Sequence, residues 1–200
     1  MVFDKVRDAL LDRGFAVSAF PSAVEAADYL DQKIDGKDVS LGGSMTLSQM
    51  NLPKRLAAHN KIYLPSAMFD GLECEVDAAR AMASEVYLSS VNALAETGEM
   101  VSIDGIGNRV ASMLYGHQKV YLVVGRNKLA PDYDGAVWRA RNVAAPGNAA
   151  RLQRKTPCAA SGHCHDCHSP ERICRGMVVL WENMYFSEIE VVLVDEELGL

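Results

Sequence analysis

Apolar residues recur along this chain with two periods, and the two alternate. Val2, Val6, Ala9 and Leu10 share one face of an amphipathic helix over Val2–Leu11, which Gly14 ends. Phe15–Phe20 has the length and side-chain character of a strand. Ser22, with Glu25 three residues on, opens a helix running to Gln32. Val39–Leu41 is the next strand, and Met45–His59 forms one or two helical pieces broken at Pro53. Lys61–Leu64 reads as a strand, Cys74–Ala83 as a helix rich in Ala and Met, and Glu85–Ser89 as a strand. Met100–Ile103 and Lys119–Val124 are strands, with a helix or turn from Asn108 to Tyr115 between them. Asp132–Arg141 and, after Pro146, Asn148–Lys155 are helical; Met177–Glu182 and Ile189–Asp195 are the last strands.

Strands alternating with helices predict the α/β class: a mainly parallel sheet with helices on both faces. Two hundred residues suit one domain over 1–200, with a Cys-rich loop at 156–176 inside it. Ligands of such sheets bind beyond the carboxyl ends of the strands. That rule points to the loops at 42–44, 90–98, 104–109 and 125–128.

Composition adds limits. The chain is 49% hydrophobic and 23% charged, which suits a packed core and argues against disorder. The longest apolar runs, Val120–Val124 and Met177–Trp181, are too short to cross a bilayer, so no membrane partner is expected. The N-terminal residues mix charges and lack an apolar signal core, which predicts a cytoplasmic location. The net charge of -6 conceals a segregation: residues 126–175 carry nine Lys/Arg against four Asp/Glu, whereas 176–200 carry six acidic groups and no basic one. A basic stretch attracts an anionic ligand. Aromatic residues are not interleaved with it, so nucleic acid is not the expected partner.

The loops carry the candidate chemistry. Gly42, Gly43 and Ser44 follow a strand and precede a helix, where glycines let backbone N–H groups approach an anion. Past the next strand, Asn92, Glu96 and Thr97 offer an amide, a carboxylate and a hydroxyl. Glu96 is a candidate general base; a solvent-facing glutamate beside a turn is the plainer alternative. In Asp104-Gly105-Ile106-Gly107-Asn108-Arg109, Gly105 and Gly107 permit close backbone approach, Asp104 is a second candidate for proton transfer, and Arg109 can clamp a carboxylate or phosphate. Asn108 can bind a ligand or simply cap the following helix. The third glycine of a dinucleotide fingerprint is missing. Asn127 and Lys128 close the set with an amide and a cation.

A 17-residue window holds four of the five cysteines, spaced Cys-x5-Cys-x2-Cys-x6-Cys at Cys158, Cys164, Cys167 and Cys174, with His163, His165 and His168 inside it. Four thiolates in one compact loop suit an iron–sulfur cluster. Zinc also fits, although only Cys164 and Cys167 form a knuckle. A redox-active thiol pair and four cysteines without a joint role are the other readings. Cys74 and the methionines Met45, Met50, Met68, Met82 and Met100 read as core filling.

Several strings together resemble the LUD, or lactate utilisation domain, family: Gly-Gly-Ser at 42–44, Ala-Leu-Ala-Glu-Thr-Gly-Glu at 93–99, Asp-Gly-Ile-Gly-Asn-Arg at 104–109 and Val-Gly-Arg-Asn-Lys at 124–128. Ala-Ala-Pro-Gly-Asn-Ala-Ala-Arg-Leu at 144–152 and the segment ending Ser-Pro-Glu-Arg-Ile-Cys at 169–174 continue it over nearly the whole chain. The resemblance implies a fold like that of CoA transferases and sugar-phosphate isomerases. It implies a redox role in organic-acid metabolism of the lactate type, a small anionic metabolite as ligand, and iron–sulfur partner subunits or a homo-oligomer. It also tilts the Cys window from zinc toward iron–sulfur. No catalytic residue is carried over with it. A non-catalytic assembly subunit with structural zinc, and an isomerase or CoA-transferase-like enzyme, are the alternatives.

Overall fold

The computed structural model of the chain describes residues 3–66, 69 and 71–200; Val2, expected in the first helix, and Met68, expected in the core, lie outside them. Two sheets are present. The larger has seven strands in the order β1-β11-β8-β5-β2-β3-β4, and every pair is parallel. Its strands are β1 (Ala16–Phe20), β2 (Asp38–Leu41), β3 (Lys61–Leu64), β4 (Glu75–Val76), β5 (Val86–Ser89), β8 (Lys119–Gly125) and β11 (Glu188–Val194). The smaller has the order β10-β7-β6-β9, from β6 (Ala93–Ala95), β7 (Met100–Asp104), β9 (Leu129–Ala130) and β10 (Gly176–Leu180). There β7 runs antiparallel to both neighbours.

Period-2 alternation sorts the central strands onto two cores. Val192 and Val194 of β11, with Tyr121 and Val123 of β8, face α2 (Ala23–Lys33), α3 (Met45–Gln49) and α4 (Leu52–Ala57). Val191, Leu193, Val120, Leu122 and Val124 face the opposite way. They pack against α1 (Asp4–Asp12), α6 (Asn108–Leu114) and Leu94, Met100 and Leu180 of the small sheet. The outer face of the small sheet, Ala93, Ala95 and Val101, meets Ala136 and Ala140. Alanines on both sides bring helix and sheet close. Truncating a central side chain such as Leu122 to Ala costs about 2–5 kcal/mol.

The expected fold class holds: α/β, a parallel sheet and helices on both faces. Several local expectations are corrected. Met100–Ile103 and Met177–Glu182 belong to the small mixed sheet, with the second strand ending at Leu180. The segment 93–95, expected as loop, is a strand. The helical break falls at Asn51, whose φ of 52° is left-handed, and Pro53 sits harmlessly in the first turn of α4. Cys74 precedes the short β4, so the helix starts only at α5 (Ala78–Ala83), capped by Asp77, whose carboxylate accepts from Ala79 N and Arg80 N.

The two helices expected around Pro146 are one rod. α7 (Tyr133–Arg139) passes through a π turn at Ala140–Ala144 into α8 (Ala145–Arg151). Pro146 has no N–H to give and its ring crowds the preceding turn, and a π turn beside it absorbs that disturbance without breaking the helix. A short helix, α9 (Pro157–Ser161), leads into the Cys-rich loop.

Candidate functional site

The carboxyl ends of β2, β5, β8 and β11 lie side by side, so the segments that follow them meet. At Gly42 a β-carbon would lie 2.3 Å from Tyr87 Oη and 2.6 Å from Ser89 Oγ, so the chain leaves β2 here only with glycine. Ser44 then caps α3 by accepting from Leu47 N at 3.4 Å, and Thr46 follows within the first turn. Ser90 and Asn92 follow β5; Lys128 ends the 3-10 turn Arg126–Lys128 that follows β8.

Together these residues enclose a polar pocket of about 90 Å³, lined among others by Gly43, Ser44, Thr46, Ser90, Arg109 and Lys128. Lys128 is only 4% exposed. Its ammonium donates to Ser90 Oγ at 2.7 Å and Thr46 Oγ1 at 2.9 Å. Each hydroxyl spends its own proton on a carbonyl, Thr46 on Leu198 and Ser90 on Val91. Among the described residues no Asp or Glu forms an ion pair with Lys128. Burial, and then the neighbouring Arg139 and Arg109 guanidiniums, bring its pKa down to about 7.

Arg109 is held by three acceptors: Ser90 O at 2.9 Å, Asn92 Oδ1 at 3.2 Å and Ile103 O at 2.6 Å. Arg139 donates to Asn127 O, Asn92 O and Leu200 O, and burial lowers its pKa from the ordinary value. Lys128 and Arg109 thus line the pocket with Arg139 behind them, and Arg151 lines it further out with Asn148. Such a field is stabilised by an anion.

Gly43, Arg109 and Asn148 also line an adjoining cavity of about 200 Å³, bounded by Asp104, Gly105, Ile106, Asn108, Leu152, Arg154 and Ile173. Asp104 fixes this wall. Its carboxylate accepts from Ile106 N and Val110 N. Burial alone would raise its pKa, but the Ile106 N–H, Arg109 and further backbone N–H groups outweigh it and hold the pKa below the usual range. Asp104 is therefore an ionised acceptor that shapes the loop. Gly107 has φ 96° and precedes Asn108, the first residue of α6.

Of the residues singled out from sequence, the fold gathers Gly43, Ser44, Asn92, Arg109 and Lys128 around the inner pocket, and Asp104, Gly105 and Asn108 around the outer cavity. Gly42 shapes the turn at its edge. Asn127 ties down the chain's last residues, accepting from Leu198 N and donating to Gly199 O. Glu96 and Thr97 stand apart. The antiparallel turn between β6 and β7 carries them away, to where Glu96 pairs with Lys5 at 2.8 Å and Thr97 Oγ1 donates to Glu99. Thr46, Ser90, Arg139, Asn148 and Arg151 escaped sequence reasoning. Ser90 directly after a strand and Thr46 one step past Gly-Gly-Ser were the available signals.

The four window cysteines are half-buried free thiols. Among the described residues, no three His, Cys, Asp or Glu side chains are gathered as a metal-ligand set. The thiols as placed therefore do not fit a four-thiolate centre. Cys164 Sγ accepts from Asp166 N at 3.4 Å and Arg141 Nη2 at 3.7 Å. Cys164 and Cys174 line a third cavity, of about 270 Å³, with Arg141, Arg172 and Arg175. His163, His165 and His168 are exposed. Among the described residues no helix is long and apolar enough to cross a membrane.

A search of curated proteins gives no match. Among solved structures, the chain is similar to a crystal structure of a DUF162 family protein from Deinococcus radiodurans, at 13% identity and a TM-score of 0.53, over 96% of each chain. That likeness supports the fold. The sequence profile of the LUD domain matches residues 3–194, and with nearly the whole length covered, the chain belongs to the LUD domain family.

Proposed function

We propose that this chain is a LUD-domain protein of organic-acid metabolism that binds a small carboxylate of the lactate type in the pocket at the strand ends. One observation carries the reading: Lys128 is buried among hydroxyls with Arg109 and Arg139 beside it, and no carboxylate of the described residues pairs with it. Burying a cation without a counter-charge is costly, and a bound anion supplies the missing partner. The ligand's carboxylate sits against Lys128, with the Ser44 hydroxyl as a further donor. The rest of the acid extends toward the Asp104–Arg109 loop. A volume of about 90 Å³ suits a headgroup of a few heavy atoms.

Thermal shift and calorimetric titration with lactate, pyruvate and inorganic phosphate test the reading. Saturable binding of the carboxylates, lost in Lys128→Met, is the expected result. Absence of saturable binding by all three sinks it. A redox role is proposed along with it, and lactate oxidation by the purified chain with an artificial electron acceptor tests that part separately. A metal on the Cys window is a separate proposal that needs the loop to close further than it does here; metal analysis of anaerobically prepared protein decides it.

A further inference from the structure

We propose that Lys128 is a nucleophile that joins a 2-oxo acid as an imine, which makes the pocket a covalent carbonyl site as well as an anion site. The inference rests on the carboxylate-binding reading and names the substrate class within it. Its basis is the placement of one nitrogen. Lys128 lines the pocket, and its Nζ makes hydrogen bonds to two hydroxyls. Thr46 and Ser90 hold the amine from one side, leaving its remaining position for a ligand. Gly199 passes overhead with φ 67°, and a β-carbon there would lie 3.2 Å from Nζ and 2.5 Å from Thr46 Oγ1, so only glycine leaves this space open.

A lysine held charged by a carboxylate is a poor nucleophile, so an oxo acid lies with its carboxylate on Arg109 and its carbonyl at Nζ, and desolvation beside other cations keeps the amine neutral and reactive. Both conditions are met here, and the pKa near 7 agrees with them. The neutral amine attacks the carbonyl carbon of the oxo acid, forming a C–N bond as the carbonyl electron pair moves to oxygen. That oxygen takes up a proton, and the carbinolamine then expels it as water. Both amine protons leave with the oxygen, a C=N bond remains, and no oxidant or reductant takes part. The imine draws electrons from the adjacent carbon and makes its hydrogens exchangeable.

Borohydride reduction tests this on the wild-type chain. Protein is incubated with pyruvate, with 2-oxobutyrate or with lactate, reduced, digested and mapped by mass spectrometry. The expected result is a gain equal to the oxo acid less one oxygen atom on the peptide bearing Lys128, roughly tenfold above any surface lysine such as Lys5, Lys33 or Lys54. Lactate gives none. Adducts confined to surface lysines overturn the proposal. So does the absence of an adduct on Lys128 while pyruvate and lactate still shift the melting temperature, a result that leaves the carboxylate site standing. If neither acid binds and nothing is trapped, both readings fall.

Discussion

The Lys128 ammonium and the Ser90 hydroxyl meet at 2.7 Å across the ends of two neighbouring strands, β8 and β5. The bond joins two loops that are separated by 38 residues in sequence, and it leaves the lysine with a hydroxyl where a carboxylate would hold its charge. The site is thus built against its own stability.

Replacing Lys128 with Met is expected to stabilise the fold and abolish carboxylate binding. In the unfolded chain the lysine titrates near its ordinary 10.5, in the folded chain near 7, so the penalty is fully present below pH 7 and vanishes above 10.5. Denaturant unfolding at pH 7 should show a gain of about 1–4 kcal/mol, the range seen when buried charges give way to apolar side chains. The gain should fade as the pH is raised toward 10.5.

Lactate binding is expected to weaken as the pH rises through about 7, because the ammonium that faces the carboxylate is lost there. Calorimetric titration between pH 6 and 8.5 measures it, and a slope approaching about tenfold per pH unit on the alkaline side is the limit for one coupled proton. A flat profile would assign the anion to the arginines alone.

How much of this was legible in advance depends on what each signal measures. Gly42–Ser44, Arg109 and Lys128 were readable because a turn after a strand and a charged residue beside it are local patterns. The parallel sheet was readable from Val39–Leu41, Lys119–Val124 and Ile189–Asp195, segments of strand length dominated by apolar residues. Glu96 and Thr97 misled because 93–95 pairs with Met100–Val101 as a strand of a second sheet, a non-local event with no mark in those three residues. Thr46 and Ser90 are too common a residue type to stand out until Lys128 is placed between them. The spacing of the four cysteines carries no information on which way each thiol turns.

Glu96→Gln should leave carboxylate binding unchanged. Its partner is Lys5, on the surface, and an exposed pair of this kind contributes about 0–1 kcal/mol. Titration of the variant with lactate checks this; a large loss of affinity would bring Glu96 back into the site.

At Gly105 a β-carbon would lie 2.7 Å from the carbonyl oxygen of Ile173. Gly105→Ala must push backbone against backbone, at a cost of about 1–3 kcal/mol in unfolding free energy. Because Ile173 adjoins Cys174, the same variant should raise the reactivity of Cys174 toward a thiol reagent, followed by labelling kinetics.

His117 is buried, its Nδ1 2.8 Å from Ser84 O and its Nε2 without a hydrogen-bond partner among the described residues. Burial lowers its pKa below the ordinary 6.5 of a histidine. The unfolded chain therefore takes up the proton first, and stability is lost as the pH falls from about 6.5 through the folded-state value. Melting temperatures measured from pH 7.5 to 5 should decline, and His117→Phe should flatten that decline.

The π turn at Ala140–Ala144 sets the helical phase of everything after it. In an unbroken α-helix Asn148, nine residues past Arg139, would point roughly 180° away from it, at about 100° per residue. A π turn absorbs about one residue of that count, which brings Arg151 to within roughly 20° of Arg139 and Asn148 to within about 80°. One surplus residue in the rod is thus what lets a single helix turn Arg139, which ties down the Asn92 and Asn127 carbonyls, and the pocket-lining Asn148–Arg151 pair toward the same side.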